Sequence, residues 1–129
     1  MKQQLALVTL MVDDYDRAIS WYTGKLGFVL QQDKPLGDGR RWVVVQPPGS
    51  NTGLVLTLAR NDSQQARVGN QTGGRVGFFL CTDDFSRDHA AMLARGVRFI
   101  TSPYRDMKGT VGAFTDLYGN TWDLLEPAR

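Results

Sequence analysis

The sequence predicts a mixed α and β fold made of two copies of one βαβββ unit, and three observations carry that prediction. Val12-Asp13-Asp14-Tyr15-Asp16-Arg17-Ala18 returns in the middle of the chain as Cys81-Thr82-Asp83-Asp84-Phe85-Ser86-Arg87. The register holds beyond that motif: Asp13 and Asp83 stand 70 positions apart, while Gly27 and Gly96, and Asn51-Thr52 and Asn120-Thr121, stand 69 apart. Between these landmarks, short β-branched and apolar runs alternate with clusters of Gly, Pro, Asn and Asp, which mark strands and turns. An offset sustained over half a chain means a duplicated unit of about 65–70 residues. The expected organisation is one domain with repeats over about residues 4–60 and 74–128, a linker at 61–73, and a groove shared by two curved sheets.

Each element follows from local chemistry. Residues 5–12 are apolar and β-branched over the length of a strand. Asp13-Asp14 then supplies a helix cap, because a short side-chain oxygen can accept from the free N–H groups of the first turn. Ala18, Trp21, Tyr22 and Leu26 recur at helical spacing over 15–25, Asp16 suits the positive end of the helix, and Gly24 and Gly27 can stop it. Strands are expected at 28–32, 41–46 and 54–58, separated by the turn signals Pro35-Leu36-Gly37-Asp38-Gly39 and Pro47-Pro48-Gly49-Ser50. Residues 61–74 are polar and rich in Gly, as a connecting segment should be. The second copy repeats the order: strand 75–81, helix 84–95, strand 97–101, loop 102–109, and strands 110–115 and 122–125 around Asp116-Leu117-Tyr118-Gly119-Asn120.

Composition sets the outer limits. At 129 residues, with 42% hydrophobic and 22% charged residues, the chain is long enough to bury a core and is neither disordered nor fibrous in character. The net charge of +2 comes from dispersed Lys and Arg, without the basic runs that nucleic-acid binding calls for. Residues 5–12 are too few to span a bilayer. The lone Cys81 has no partner for an internal disulfide, which suits a reducing cytoplasm.

Alternation along the strands assigns faces. If Val8, Leu10 and Val12 pack beneath the first helix, Leu7, Thr9 and Met11 point the other way. Likewise Arg75, Gly77, Phe79 and Cys81 oppose Val76, Phe78 and Leu80, and Asp123 opposes Trp122. The expected ligand-contacting residues are therefore Thr9, Met11, Arg75, Phe79 and Asp123, joined by Trp42, Tyr104, Met107 and Phe114, whose large side chains could wall a pocket. Trp21, Tyr22 and Trp122 are assigned to packing between helix and sheet, Cys81 to a buried structural role, and His89 to the surface. The paired aspartates are read as caps rather than as an acid and a base.

Two stretches give the chain a family resemblance. Val12-x-Asp14-x-x-Arg17-Ala18-x-x-Trp21-Tyr22, running into Leu26-Gly27-Phe28, and Phe114-x-Asp116-x-x-Gly119-Asn120-x-x-Asp123-Leu124 are similar to the first-helix and C-terminal signatures of the vicinal oxygen chelate superfamily, which groups glyoxalase I, bleomycin-resistance proteins and extradiol dioxygenases. The resemblance implies a glyoxalase-like fold, a small organic ligand and a homodimer, with a divalent metal in many members. It also implies ligand positions in the first and last strands of each repeat, which fall on Leu7, Arg75, Leu54 and Asp123. Leucine offers no donor atom and arginine repels a cation, so neither a metal nor any other cofactor is expected. Two expectations for Arg75 stay open: a salt bridge to Asp123, or a grip on a ligand anion. Two functions likewise stay open, namely metal-independent binding or sequestration, and a lyase, isomerase or dioxygenase activity with an atypical or absent metal site.

Overall fold

The computed structural model describes residues 1–129, which form two compact units, Met1–Val68 and Gly69–Arg129. In the first, strand β1 (Leu7–Val12) leads into helix α1 (Tyr15–Lys25), followed by β2 (Val29–Gly37), β3 (Arg40–Gln46), β4 (Gly53–Leu58) and the short helix α2 (Asp62–Gln65). Its four strands lie in the order β1-β4-β3-β2, with β1 and β4 parallel and the other pairs antiparallel. In the second unit β5 (Val76–Cys81) leads into α3 (Phe85–Ala94), β6 (Arg98–Phe99), β7 (Tyr104–Asp106), β8 (Gly109–Thr115) and β9 (Thr121–Pro127). These strands repeat the order as β5-β9-β8-β6, with β7 paired to β8. Each unit is thus a helix laid on one face of a mixed sheet.

The duplicated aspartates do the same work twice. Asp14 caps α1 by accepting from the Arg17 backbone N–H at 2.9 Å, and Asp84 caps α3 by accepting from that of Arg87 at 3.0 Å. One residue earlier, Asp13 pairs with the Arg17 guanidinium at 3.8 Å and Asp83 with that of Arg87 at 2.8 Å. The repeated motif is therefore a cap followed by an i,i+4 ion pair. Gly27 and Gly96 turn the chain out of each helix at φ of 74° and 90°, a region closed to most side chains.

Burial follows the expected alternation in β1. Leu10 and Val12 are fully buried, as are Ala18 and Tyr22 of α1, while Leu7 and Thr9 are exposed; Met11 departs from the alternation and is buried too. In the second unit Trp122, Leu124 and Phe114 form the core with Phe85 and Met92 of α3. Each such side chain removed from water contributes about 1.5–3 kcal/mol, which is what fixes each helix to its sheet.

Three expectations are corrected, and the linker gains a helix. The second strand runs to Gly37, so the hairpin loop shrinks to Asp38-Gly39, both at positive φ (55° and 75°) in the tight turn that this dipeptide favours. Pro35 sits inside that strand because β2 is a sheet edge, where a missing N–H leaves no ladder bond broken. Residues 97–101 yield only the two-residue β6, while the expected loop 102–109 contains β7 and folds as a hairpin onto β8. The expected linker 61–73 holds α2, whose Asn61 cap accepts from the Gln64 N–H at 2.8 Å as the Gln64 side chain accepts from the Arg60 N–H at 2.8 Å.

Candidate functional site

Strand register in the second unit places Asp123 at the centre of the sheet. It lies opposite Phe79 of β5 on one side and Ala113 of β8 on the other, so the three side chains share one row and one face. Trp122 and Leu124, its neighbours in β9, point to the opposite face and pack with α3, so Asp123 points away from the helix. Along that same face the next row carries Cys81, Leu125, Val111 and Tyr104. Exposure is graded across it. Phe79, on the edge strand, is 56% exposed, whereas Asp123, in β9, is only 4% exposed.

Two buried aspartates in this unit make a direct comparison. Asp116, 6% exposed, organises the turn before β9 by accepting from the backbone N–H of Tyr118 and of Asn120 and from the Asn120 side chain, each at 3.0 Å, and from the Trp122 indole at 3.3 Å. That network gives a physical reason for the C-terminal signature: the aspartate needs the asparagine four residues later. Asp123 has no such support. Its Oδ1 is sealed from solvent and accepts no hydrogen bond. A carboxylate oxygen left in that condition is costly, since no donor replaces the water it lost. Burial accordingly pushes its carboxyl above the ordinary value of 3.8, with Lys108 pulling it down and Asp106 pushing it up. Those two residues hold each other at 2.7 Å across the β7–β8 hairpin.

Several sequence expectations change here. Arg75 does not bridge to Asp123: it lies exposed just before β5, four residues from the Phe79 that neighbours Asp123, and it enters no ion pair. Phe114 is not a pocket wall. It is fully buried on the α3 side of its sheet, 5.4 Å from the Phe99 ring and 5.8 Å from that of Trp122. Cys81 is exposed rather than buried, because its strand is a sheet edge and its side chain faces away from the helix. His89 is half-buried between Phe85, at 5.2 Å, and Phe99, at 4.5 Å, and belongs to the aromatic core of α3. Tyr104 and Met107 are exposed on β7 and its turn, at 42% and 94%.

The remaining candidates belong to the first unit. Thr9 is exposed in β1 opposite Val55, Met11 is buried opposite Thr57, and Trp42 is half-buried, its indole donating to Gln32 Oε1 at 2.6 Å. All three lie on the face of the first sheet turned away from α1. Asp106, Lys108 and Ala113 were not among the expected site residues. Only the strand pairing of a segment read as loop brings the first two near Asp123.

Matching topologies also reassign the implied ligand positions. Thr9 pairs with Val55 as Phe79 pairs with Asp123, so the counterpart of Asp123 is Val55, not Leu54, and that of Leu7 is Gly77, not Arg75. Gly53 is the extra residue that moves the last strand of the first unit out of the simple offset. The four positions thus hold Leu7, Gly77, Val55 and Asp123. One carboxylate among three residues without side-chain donors does not fit a divalent cation, and nowhere do three His, Cys, Asp or Glu side chains gather as a metal site would require.

Residues 4–124 match the family model of the Glyoxalase/Bleomycin resistance protein/Dioxygenase superfamily. The chain belongs to that superfamily. An uncharacterized protein of Shewanella frigidimarina (strain NCIMB 400) is 48% identical over 128 residues, covering 98% of this chain and 95% of its own length. Among solved structures, UcmS2 is similar with a TM-score of 0.83 and 27% identity over 97% of this chain and 98% of its own. TnmS3, an antibiotic binding protein from Streptomyces sp. CB03234, is similar with a TM-score of 0.79 and 30% identity over 98% of both chains. No helix of this superfamily member is long and apolar enough to cross a membrane.

Proposed function

We propose that the protein binds a small organic molecule without a metal and sequesters it rather than converting it. The observation that carries this reading is Asp123, a buried carboxylate whose Oδ1 has no hydrogen-bond partner, set beside the exposed ring of Phe79. Small-molecule sites in general combine mostly apolar walls with a few placed polar groups. Likeness to TnmS3, described as antibiotic binding, supports a ligand of that broad kind. The working form in this proposal is a homodimer in the cytoplasm, on the chain's resemblance to a superfamily whose members commonly pair.

A thermal-shift panel of aromatic compounds, small anions and peptide antibiotics tests the reading, run with and without EDTA. A ligand at a hundred times its Kd adds about 2.7 kcal/mol of stability, so a true ligand raises Tm measurably and EDTA leaves that rise unchanged. The recovered ligand should be chemically intact. A stoichiometric transition metal in protein purified without chelator, or a product in place of the added compound, would overturn the proposal.

A further inference from the structure

We infer that the ligand carries a basic nitrogen, held as its ammonium by Asp123, next to a flat apolar body that lies against Phe79. The inference rests on the binding role just proposed and adds the chemistry of the ligand. It begins from the charge around Asp123. A carboxylate oxygen out of water is stable only where an opposite charge or an N–H or O–H donor replaces its hydration, and Asp123 Oδ1 receives no hydrogen bond from the protein. Its cross-strand neighbours are a phenyl ring and a methyl group, Phe79 and Ala113, which have no donors to give. Lys108 is the one cation acting on it. That ammonium is already engaged by Asp106 at 2.7 Å, and the two act on Asp123 with opposite sign. What remains is a negative, unsatisfied spot in apolar surroundings.

An ammonium supplies both missing quantities, a positive charge and up to three donors. A neutral acceptor or an anion supplies neither. Phe79 strengthens the choice, since adjacent strands run about 4.8 Å apart and an ammonium bound at Asp123 would lie within range of attraction to the ring. Exposure of Phe79 at the sheet edge leaves that ring open to a ligand's apolar portion.

The test is calorimetric titration of the full chain at neutral pH with two probes of one shape, 1-naphthylmethylamine and the uncharged 1-(methoxymethyl)naphthalene. The amine should bind about tenfold tighter or more, the gain expected from one charge-assisted hydrogen bond. Asp123→Asn should erase that preference while binding the ether as the native protein does, and Phe79→Ala should weaken both probes alike. Lys108→Ala offers a check that leaves Asp123 in place: freeing Asp106 from its ion pair should enlarge the preference for the amine. Equal binding of the two probes, or a preference that survives in Asp123→Asn, overturns this inference and leaves the proposed binding role standing. Failure of both probes, together with a panel that yields no ligand, overturns both.

Discussion

If Asp123 is held at the expense of stability, removing it should make the protein more stable. The informative replacement is Asp123→Val, because Val55 occupies the equivalent place in the first sheet and is buried there at 8% exposure. An unsatisfied buried acceptor costs about 1–3 kcal/mol, more when charged, and valine also suits a strand better than aspartate. The slightly larger side chain takes back part of this gain through crowding against Phe79 and Ala113. A net gain of about 1–2 kcal/mol at pH 7 follows, or roughly 3–8 °C in Tm for a chain of this size. The sign of the pH dependence is fixed too. Burial raises the folded-state pKa of Asp123 above its ordinary 3.8, so the folded chain holds more protons than the unfolded one between those two values. Native stability should therefore decline as pH rises through that window, and the valine variant should lack this decline. Its advantage, full above the window, should shrink as pH falls through the window and level off below the ordinary 3.8, where the carboxyl becomes neutral in both states. Urea unfolding of both proteins from pH 3 to 8 measures this directly. A variant less stable than the native protein at pH 7, or an advantage that does not shrink in acid, would mean that Asp123 is satisfied and would refute the reasoning.

Phe114→Ala should destabilise the protein by about 3–5 kcal/mol in denaturant unfolding, the cost of emptying a fully buried ring site between Phe99 and Trp122. A smaller loss accompanied by lost ligand binding would return Phe114 to the pocket. Asp14→Ala and Asp84→Ala should each cost about 1 kcal/mol by the same assay without altering ligand affinity, as expected of caps. The two losses should add in the double variant, since the caps serve separate helices.

What the sequence made legible was local or periodic. A cap needs only an aspartate and the turn after it, so Asp14 and Asp84 were readable, as was the buried side of β1 from its alternation. Pairing across strands was not readable, and the site depends on it. Arg75 and Asp123 looked like partners because each stood near an expected ligand position; register put Phe79 beside Asp123 instead. Phe114 was misplaced for a related reason. Its strand partner Trp122 packs with the helix, and residues that pair across a ladder share a face, but the pairing itself is not written in one strand. Cys81 depended on which strand is the sheet edge, a property of order rather than of sequence. Asp106 and Lys108 lay in a stretch whose strand is three residues long, too short for any alternation to declare itself.

The duplication gives the strongest argument that Asp123 serves a ligand rather than the fold. Two copies of one unit face one folding problem, and they solve most of it alike, with matched capping aspartates, matched i,i+4 arginines and glycines at the same helix exits. At the middle of the last strand they differ. The first unit places Val55 there, and its sheet forms with the same strand order, so the fold does not demand a charge at that position. In the second unit the same position holds an aspartate whose buried Oδ1 gains no hydrogen bond, while Asp116, seven residues earlier, shows that this unit can satisfy a buried carboxylate fully. A residue that breaks a packing rule its twin obeys, with no compensation inside the protein, is explained by a partner outside it. The stability released by Asp123→Val and the amine preference lost in Asp123→Asn are therefore two measurements of one arrangement.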